Sequence, residues 1–180
     1  RQRGGILAGA AGRLVDLGLG WACRPPRLTG GLVVAPHSGR CGEEFSALAR
    51  RVGVANGICG ERSAEYLNWR YLDSPLDRHE LLTARSNGTL AGYVAIAREA
   101  QVATLVDVFS VADDAVLDGL VRHAVAGLWT QGVADVRVAV AAPESWLARL
   151  TGMGFRPRGE APVVVHGLAG AGPTSTMLEN

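Results

Sequence analysis

The chain has 180 residues, with 18 Lys and Arg residues against 17 Asp and Glu residues, and 48% of its residues are hydrophobic. This length suits a single domain with an appendage and is enough to bury a core. The net charge of +1 excludes a nucleic-acid or other polyanion binder that works through bulk charge. The hydrophobic content excludes a disordered chain.

Residues 1–41 are predicted to form a connector helix and a linker. Apolar residues recur at spacings of three and four over residues 6–22, which is typical of one helical stripe. Pro25-Pro26 would end that helix, and the linker then contains one short strand, Leu32 to Ala35. Because the first residue is Arg rather than Met, we expect the chain to be a fragment of a longer protein.

Two helices are predicted to open the main domain, which we place at residues 42–166. Apolar residues at Phe45, Leu48 and Val52 mark a short amphipathic helix, which we expect to end at Gly53. Ser63 is a good N-cap for a second helix, and the pattern predicts that this helix continues to Asp73.

Three antiparallel strands are predicted next. The first two, at residues 80–85 and 89–98, flank the dipeptide Asn87-Gly88, which strongly favours a hairpin turn. The third covers residues 102–111. We therefore expect a β-meander in the middle of the chain.

A helix with a wide apolar face follows, between a cap at Asp113 and a stop at Gly132. Alternating valines then predict a buried strand over residues 133–141. Pro143 suits the first turn of a further helix, which is predicted to reach Met153.

Residues 155–158 and 162–166 are predicted to form a closing pair of strands, and residues 167–180 a flexible tail. The element order predicts an α/β (α+β) fold with a mixed, mostly antiparallel central sheet and helices on both faces.

Three cysteines, Cys23, Cys41 and Cys59, form no C-x-x-C pair. This pattern favours neither a disulfide framework nor a zinc site, and the histidines lack metal-ligand spacing. We therefore expect no metal and a reducing, cytoplasmic location. No interaction with a membrane is expected, because charged residues interrupt the apolar stretch near the start of the chain.

Four short motifs occur in the order of these elements: Arg62-Ser63-x-x-Tyr66-Leu67-x-Trp69-Arg70-Tyr71, Gly88-Thr89-Leu90-Ala91-Gly92-Tyr93-Val94, Leu105-Val106-Asp107-Val108 and Gly154-Phe155. Together they resemble the GNAT superfamily of bacterial and other N-acetyltransferases over about residues 42–166. The first two motifs are most similar to the C-terminal unit of bacterial tandem-GNAT proteins. The resemblance implies an acyl-CoA N-acyltransferase-like fold. It also implies a partner, either a second GNAT-like domain or a second copy in a homodimer.

The resemblance implies transfer of an acetyl group from acetyl-CoA to an amine of a small molecule or protein. By position, the backbone of Val108, Phe109 and Ser110 would bind the pantetheine arm. The family's glycine-containing pyrophosphate turn is replaced here by a segment with Asp113 and Asp114. Two interpretations are open for these carboxylates, ordinary helix capping, which we favour, and a ligand role.

The resemblance also implies candidate catalytic residues. Asp107 lies on the strand that supplies the general base in many of these enzymes. A carboxylate in an apolar strand needs a bonding partner, so a structural Asp bonded to Arg70 or to backbone is the alternative. The family's usual acid, a tyrosine, is replaced by Leu150, which leaves Tyr93 and Ser145 as candidates.

The aromatic residues Tyr66, Trp69 and Tyr71 are interpreted as core and sheet packing rather than a substrate cage. A second function also stays open for the whole chain. It is a degenerate, non-catalytic module of the same fold that packs on a partner domain, as the altered phosphate turn and the missing tyrosine indicate.

Overall fold

The computed structural model describes residues 28, 30–56, 60–75, 78–140 and 144–158. The chain divides into two compact units, Arg1–Val140 and Ala141–Asn180. The connector helix predicted at residues 6–22, the closing strand at 162–166 and the tail at 167–180 lie outside the described residues.

A five-stranded sheet forms the framework of the first unit, in the order β1-β2-β3-β4-β5. Its strands are β1 (Leu32–Pro36), β2 (His79–Ser86), β3 (Thr89–Glu99), β4 (Val102–Ser110) and β5 (Asp135–Val138). Neighbours are antiparallel except β4 and β5, which are parallel. The predicted mixed, mostly antiparallel sheet is thus confirmed. The strand predicted inside the linker is β1, so the sheet begins before residue 42.

The turn between β2 and β3 is the hairpin that the sequence predicts. Asn87 and Gly88 have φ angles of 49° and 83°. Both are positive, as a two-residue type I′ turn requires.

A β-bulge interrupts β4 near its middle. The register pairs Ala95 of β3 with Asp107 of β4. The next pair is Ile96 with Leu105, so Val106 is the extra residue. A bulge bends its strand and increases the local twist, and this one lies directly before Asp107.

The helices of the first unit are α1 (Glu43–Asn56), α2 (Ala64–Leu67) and α3 (Asp114–Thr130), and a π-helical turn (Asn68–Leu72) continues α2. The prediction that α1 ends at Gly53 is wrong. A glycine inside a helix costs only about 1 kcal/mol, and Gly53 does not have the positive φ that commonly ends helices.

Helices cover both faces of the sheet, as predicted. On one face, the ring of Phe45 in α1 lies 5.9 Å from that of Tyr93 in β3, measured between centroids. On the other face, a Cβ placed on Gly92 would lie 2.9 Å from Leu120 Cδ1 in α3. Neighbouring side chains on a strand point to opposite faces, so α1 and α3 are on opposite sides.

The buried cluster on the α1 face consists of Cys41, Phe45, Leu48, Val52, Ala64, Leu67, Tyr71, Leu81, Leu90, Tyr93, Ala95 and Phe109. No helix in the described part of the chain is both long and apolar enough to cross a membrane.

The second unit contains α4 (Glu144–Gly152), close to the helix predicted there. Gly154 follows it with a φ of 100°, a conformation that suits glycine at the end of a helix. The strand predicted at residues 155–158 does not form, since these four described residues have no regular secondary structure.

Candidate active site

The backbone of β4 is open on one side beyond Leu105. β5 pairs with β4 from Val102 to Leu105, and the Ala139 amide then donates to the Leu105 carbonyl at 3.0 Å. Within the described ranges, no strand extends this pairing toward Ser110. The two parallel strands therefore separate where the bulge occurs.

Alternation of hydrogen bonds shows which groups face the open side. The Val111 amide donates to the Ala91 carbonyl at 2.9 Å. Because hydrogen-bonded pairs alternate in an antiparallel ladder, the backbone groups of Phe109 face β3. The backbone groups of Val108 and Ser110 face the opening, so an extended ligand could bond to these two residues.

Asp107 lies at the point where β4 and β5 separate. Its side chain is only 8% exposed. The Tyr93 hydroxyl donates to Asp107 Oδ2 at 2.7 Å, and Arg62 Nη2 donates to Oδ1 at 3.0 Å. The fold thus brings together two residues that the sequence identified as candidates, Asp107 and Tyr93.

Two phenols share the environment of this carboxylate. Burial, and next the negative charge of Asp107, raise the pKa of Tyr93. The same two causes, in the same order, raise the pKa of Tyr71. A phenol with a raised pKa keeps its proton more firmly, which suits Tyr93 as a hydrogen-bond donor to Asp107.

The cationic partner of Asp107 is Arg62, a residue that sequence reasoning missed. The expected alternative partner, Arg70, is exposed, and its guanidinium lies 5.7 Å from the Tyr71 ring centroid. Arg62 precedes Asp107 by 45 residues, so no local pattern relates them. The one feature of the sequence that could have identified Arg62 as a site residue is its position in the first of the four motifs, directly before the predicted N-cap.

Hydrogen bonds at the N-terminus of α2 hold the segment that contains Arg62. Ser63 is the N-cap, as predicted, and its hydroxyl accepts a hydrogen bond from the Tyr66 amide at 3.3 Å. The Ala64 amide donates to the Ser46 hydroxyl of α1 at 3.0 Å. These bonds fix the segment before α2 against α1.

The π-helical turn is fixed by one buried amide side chain. The Cys41 amide donates to Asn68 Oδ1 at 2.8 Å, and Asn68 Nδ2 donates to the Cys41 carbonyl at 3.0 Å. Tyr71 in this turn is buried, as expected of a packing residue. The same interpretation is wrong for Trp69, which is 65% exposed, because the turn directs it away from the buried face.

The N-terminus of α3 carries the two carboxylates that replace the glycine turn. Asp113 is the N-cap, and its Oδ1 accepts a hydrogen bond from the Ala115 amide at 2.8 Å. Asp114 lies in the first turn, and both residues are exposed. The capping interpretation is therefore confirmed for Asp113.

The remaining candidate, Ser145, lies exposed in the first turn of α4, in the second unit. Leu150 is buried in the same helix.

The described residues contain no group of three His, Cys, Asp or Glu side chains that could hold a metal ion. Burial raises the pKa of the Cys41 thiol to about 11, so this thiol stays protonated at neutral pH.

No protein-family model matches the sequence, and a search of curated proteins finds no match. Solved structures do share the fold. A ribosomal-protein-alanine N-acetyltransferase from Brucella melitensis biovar Abortus 2308 is 15% identical, with a TM-score of 0.54 over 76% of this chain and 99% of its own. A transcriptional regulator from Bacillus halodurans C-125 is 13% identical, with a TM-score of 0.56 over 75% and 99%.

A further similar structure is AAC(6')-Iy in complex with the bisubstrate analog CoA-S-monomethyl-acetylneamine. It is 12% identical, with a TM-score of 0.50 over 76% of this chain and 99% of its own. Identities this low show the fold and not the activity. The chain has the fold of the GNAT acetyltransferases.

Proposed function

We propose that this chain is an N-acyltransferase, which transfers an acetyl group from acetyl-CoA to an amine of a small molecule or a protein. The observation that supports this most is the open edge of β4 next to the buried carboxylate of Asp107. An extended arm can bond to such an edge as an added strand does. The complex of AAC(6')-Iy with a CoA-containing analog, on the same fold, adds support.

The residues of the chain fit the pantetheine arm of coenzyme A. The outward backbone groups of Val108 and Ser110 would hold the arm, whereas those of Phe109 are directed to β3. When bound, acetyl-CoA supplies an acetyl group activated as a thioester.

Asp107 is the proposed general base. Its carboxylate oxygens accept hydrogen bonds from Tyr93 and Arg62 in the structure, and an ionised carboxylate has about four acceptor sites in all. Asp107 accepts the proton that the amine nitrogen loses, directly or through water, as the C–N bond forms and the C–S bond breaks. Tyr93 orients the carboxylate, and the thiolate of coenzyme A that leaves takes its proton from solvent.

The pyrophosphate of coenzyme A fits less well. Free N–H groups at a helix N-terminus favour phosphate, but Asp113 already occupies the Ala115 amide. Asp113 and Asp114 also bring negative charge to this end of α3. We propose that the two carboxylates weaken the binding of coenzyme A through repulsion.

Neutralising both carboxylates is expected to raise the affinity for coenzyme A. The double variant Asp113→Asn/Asp114→Asn keeps a good capping side chain. It removes two like charges, each worth about 1 kcal/mol at ~4 Å in water, so we expect roughly thirtyfold tighter binding at low salt. Calorimetric titration with coenzyme A measures this, and pantetheine, which lacks phosphate, serves as the control ligand. Equal affinities of wild type and variant for coenzyme A would contradict the repulsion.

The same N-terminus of α3 favours one alternative, a non-catalytic module. At this N-terminus the Ala115 amide already donates to Asp113, and the two carboxylates carry negative charge, so the site is unfavourable for phosphate. In that case the domain would pack on a second domain of the same fold or on a second copy of itself.

An acetyl-transfer assay distinguishes these functions. The full chain is incubated with acetyl-CoA and a panel of primary amines, and the free thiol of coenzyme A is followed with a thiol reagent. The proposal predicts thiol release that depends on the amine and is lost in Asp107→Asn. A folded sample that releases no thiol with any amine would favour the non-catalytic module.

A further inference from the structure

We propose that Arg62 is a positioning residue that acts on the transfer reaction through Asp107, an inference that rests on the proposed function. A guanidinium is charged at all accessible pH values and donates in fixed directions. Its Nη2 bonds to Asp107 Oδ1, while the Tyr93 hydroxyl bonds to Oδ2. With a donor on each oxygen, the plane of the carboxylate is fixed.

Arg62 is itself held in place by its other contacts. Nη1 donates to the Gly60 carbonyl at 3.1 Å, and the guanidinium carbon lies 4.8 Å from the centroid of the Phe109 ring. Cation–π contact with that ring and the bond to the backbone restrict the side chain. Only 23% of the side chain is exposed, so its bond to Asp107 is shielded from solvent more than a surface ion pair is.

The geometry gives Arg62 a role that Arg85 of β2 does not have. Arg85 makes a comparable ion pair, with bonds of 2.8 and 2.5 Å to Glu44. That pair joins β2 to α1, as the Arg62 pair joins the segment before α2 to β4. Arg62 alone of the two touches the proposed base, so Arg85→Gln is a matched control for the loss of an ion pair.

Two measurements test the proposal, on the full chain. The first is the ¹³Cγ resonance of Asp107 in protein with labelled aspartate, assigned by its absence in Asp107→Asn. We expect Arg62→Gln to shift this resonance, Arg62→Lys to shift it less, and Arg85→Gln to leave it unchanged. An Asp107 resonance that is the same in Arg62→Gln and wild type would overturn the proposal, whether or not the protein transfers acetyl groups.

The second measurement is a double-mutant cycle on kcat. Arg62→Gln is expected to lower kcat about fivefold, to leave the KM for acetyl-CoA unchanged, and to be partly rescued by Arg62→Lys. In the Asp107→Asn background Arg62→Gln should cause no further loss, because residues that act as a unit are not additive. An equal loss in both backgrounds, or an unchanged kcat in Arg62→Gln, would overturn the proposal.

The failure of the proposed function gives a different pattern. A wild-type protein without transfer activity, or an Asp107→Asn variant with the wild-type kcat, would remove the catalytic role of Asp107. The carboxyl resonance would then still decide whether Arg62 positions this side chain.

Discussion

Asp107→Asn is expected to lower kcat for acetyl transfer by at least about tenfold, the usual range for loss of a general base. Asparagine has nearly the same shape as aspartate, but its amide does not accept the proton of the amine. The KM for acetyl-CoA should stay near its wild-type value, because the proposed contacts with the pantetheine are made by backbone groups. Steady-state assays of thiol release measure both constants.

The fold of the Asp107→Asn variant has to be checked in the same experiment. Loss of the carboxylate removes the ion pair between Asp107 and the partly buried guanidinium of Arg62, which destabilises a protein by roughly 1–3 kcal/mol. Rates are therefore compared well below the unfolding temperature of each variant. Asp135→Asn is the matched control, because Asp135 pairs with Arg137 on the exposed side of β5. A folded Asp107→Asn protein with the wild-type kcat would assign Asp107 to the structural role.

Gly92→Ala is expected to lower the free energy of unfolding by about 1–3 kcal/mol, the usual cost of overpacking. An added Cβ would lie 2.8 Å from Ser110 Cβ and 2.9 Å from both Leu120 Cδ1 and the Phe109 carbonyl oxygen. Ladder bonds hold this oxygen, so it cannot move without disturbing β4. Chemical denaturation monitored by circular dichroism measures the change.

Gly127→Ala in α3 is the matched control for Gly92→Ala. A Cβ at Gly127 would meet nothing within 4 Å, and alanine favours the helix over glycine by about 0.5–1 kcal/mol. The two substitutions should therefore change stability in opposite directions. Wild-type stability of Gly92→Ala would show that β3, β4 and α3 do not meet as closely at Gly92 as described.

The sequence predicts most of the fold because its signals are local. Asn87-Gly88 specifies a hairpin through two positive φ angles, and Ser63 and Asp113 cap their helices through bonds to amides two or three residues away. The order of these elements then leaves few ways to form the sheet. The end of α1 was predicted wrongly at Gly53, because glycine weakens a helix without obligatorily ending it.

The candidate site is less predictable because it depends on contacts between distant residues. Asp107 and Tyr93 could be selected from their strands, but the 2.7 Å bond between them follows from the strand register and the bulge at Val106. Arg62 reaches Asp107 only after α2 packs on the sheet. Trp69 belongs to the first motif, but the π-helical turn determines that its side chain is exposed. No residue pattern predicts that turn.

The proposed binding of an acyl-CoA at the open edge of β4 is tested most directly by calorimetric titration of the full chain. Acetyl-CoA, coenzyme A and pantetheine are titrated at low salt, where electrostatic effects are largest. The proposal predicts saturable binding of acetyl-CoA and coenzyme A at micromolar strength, with pantetheine competing for the same site. A folded sample that binds none of the three would contradict it and would leave the non-catalytic module as the better account of this fold.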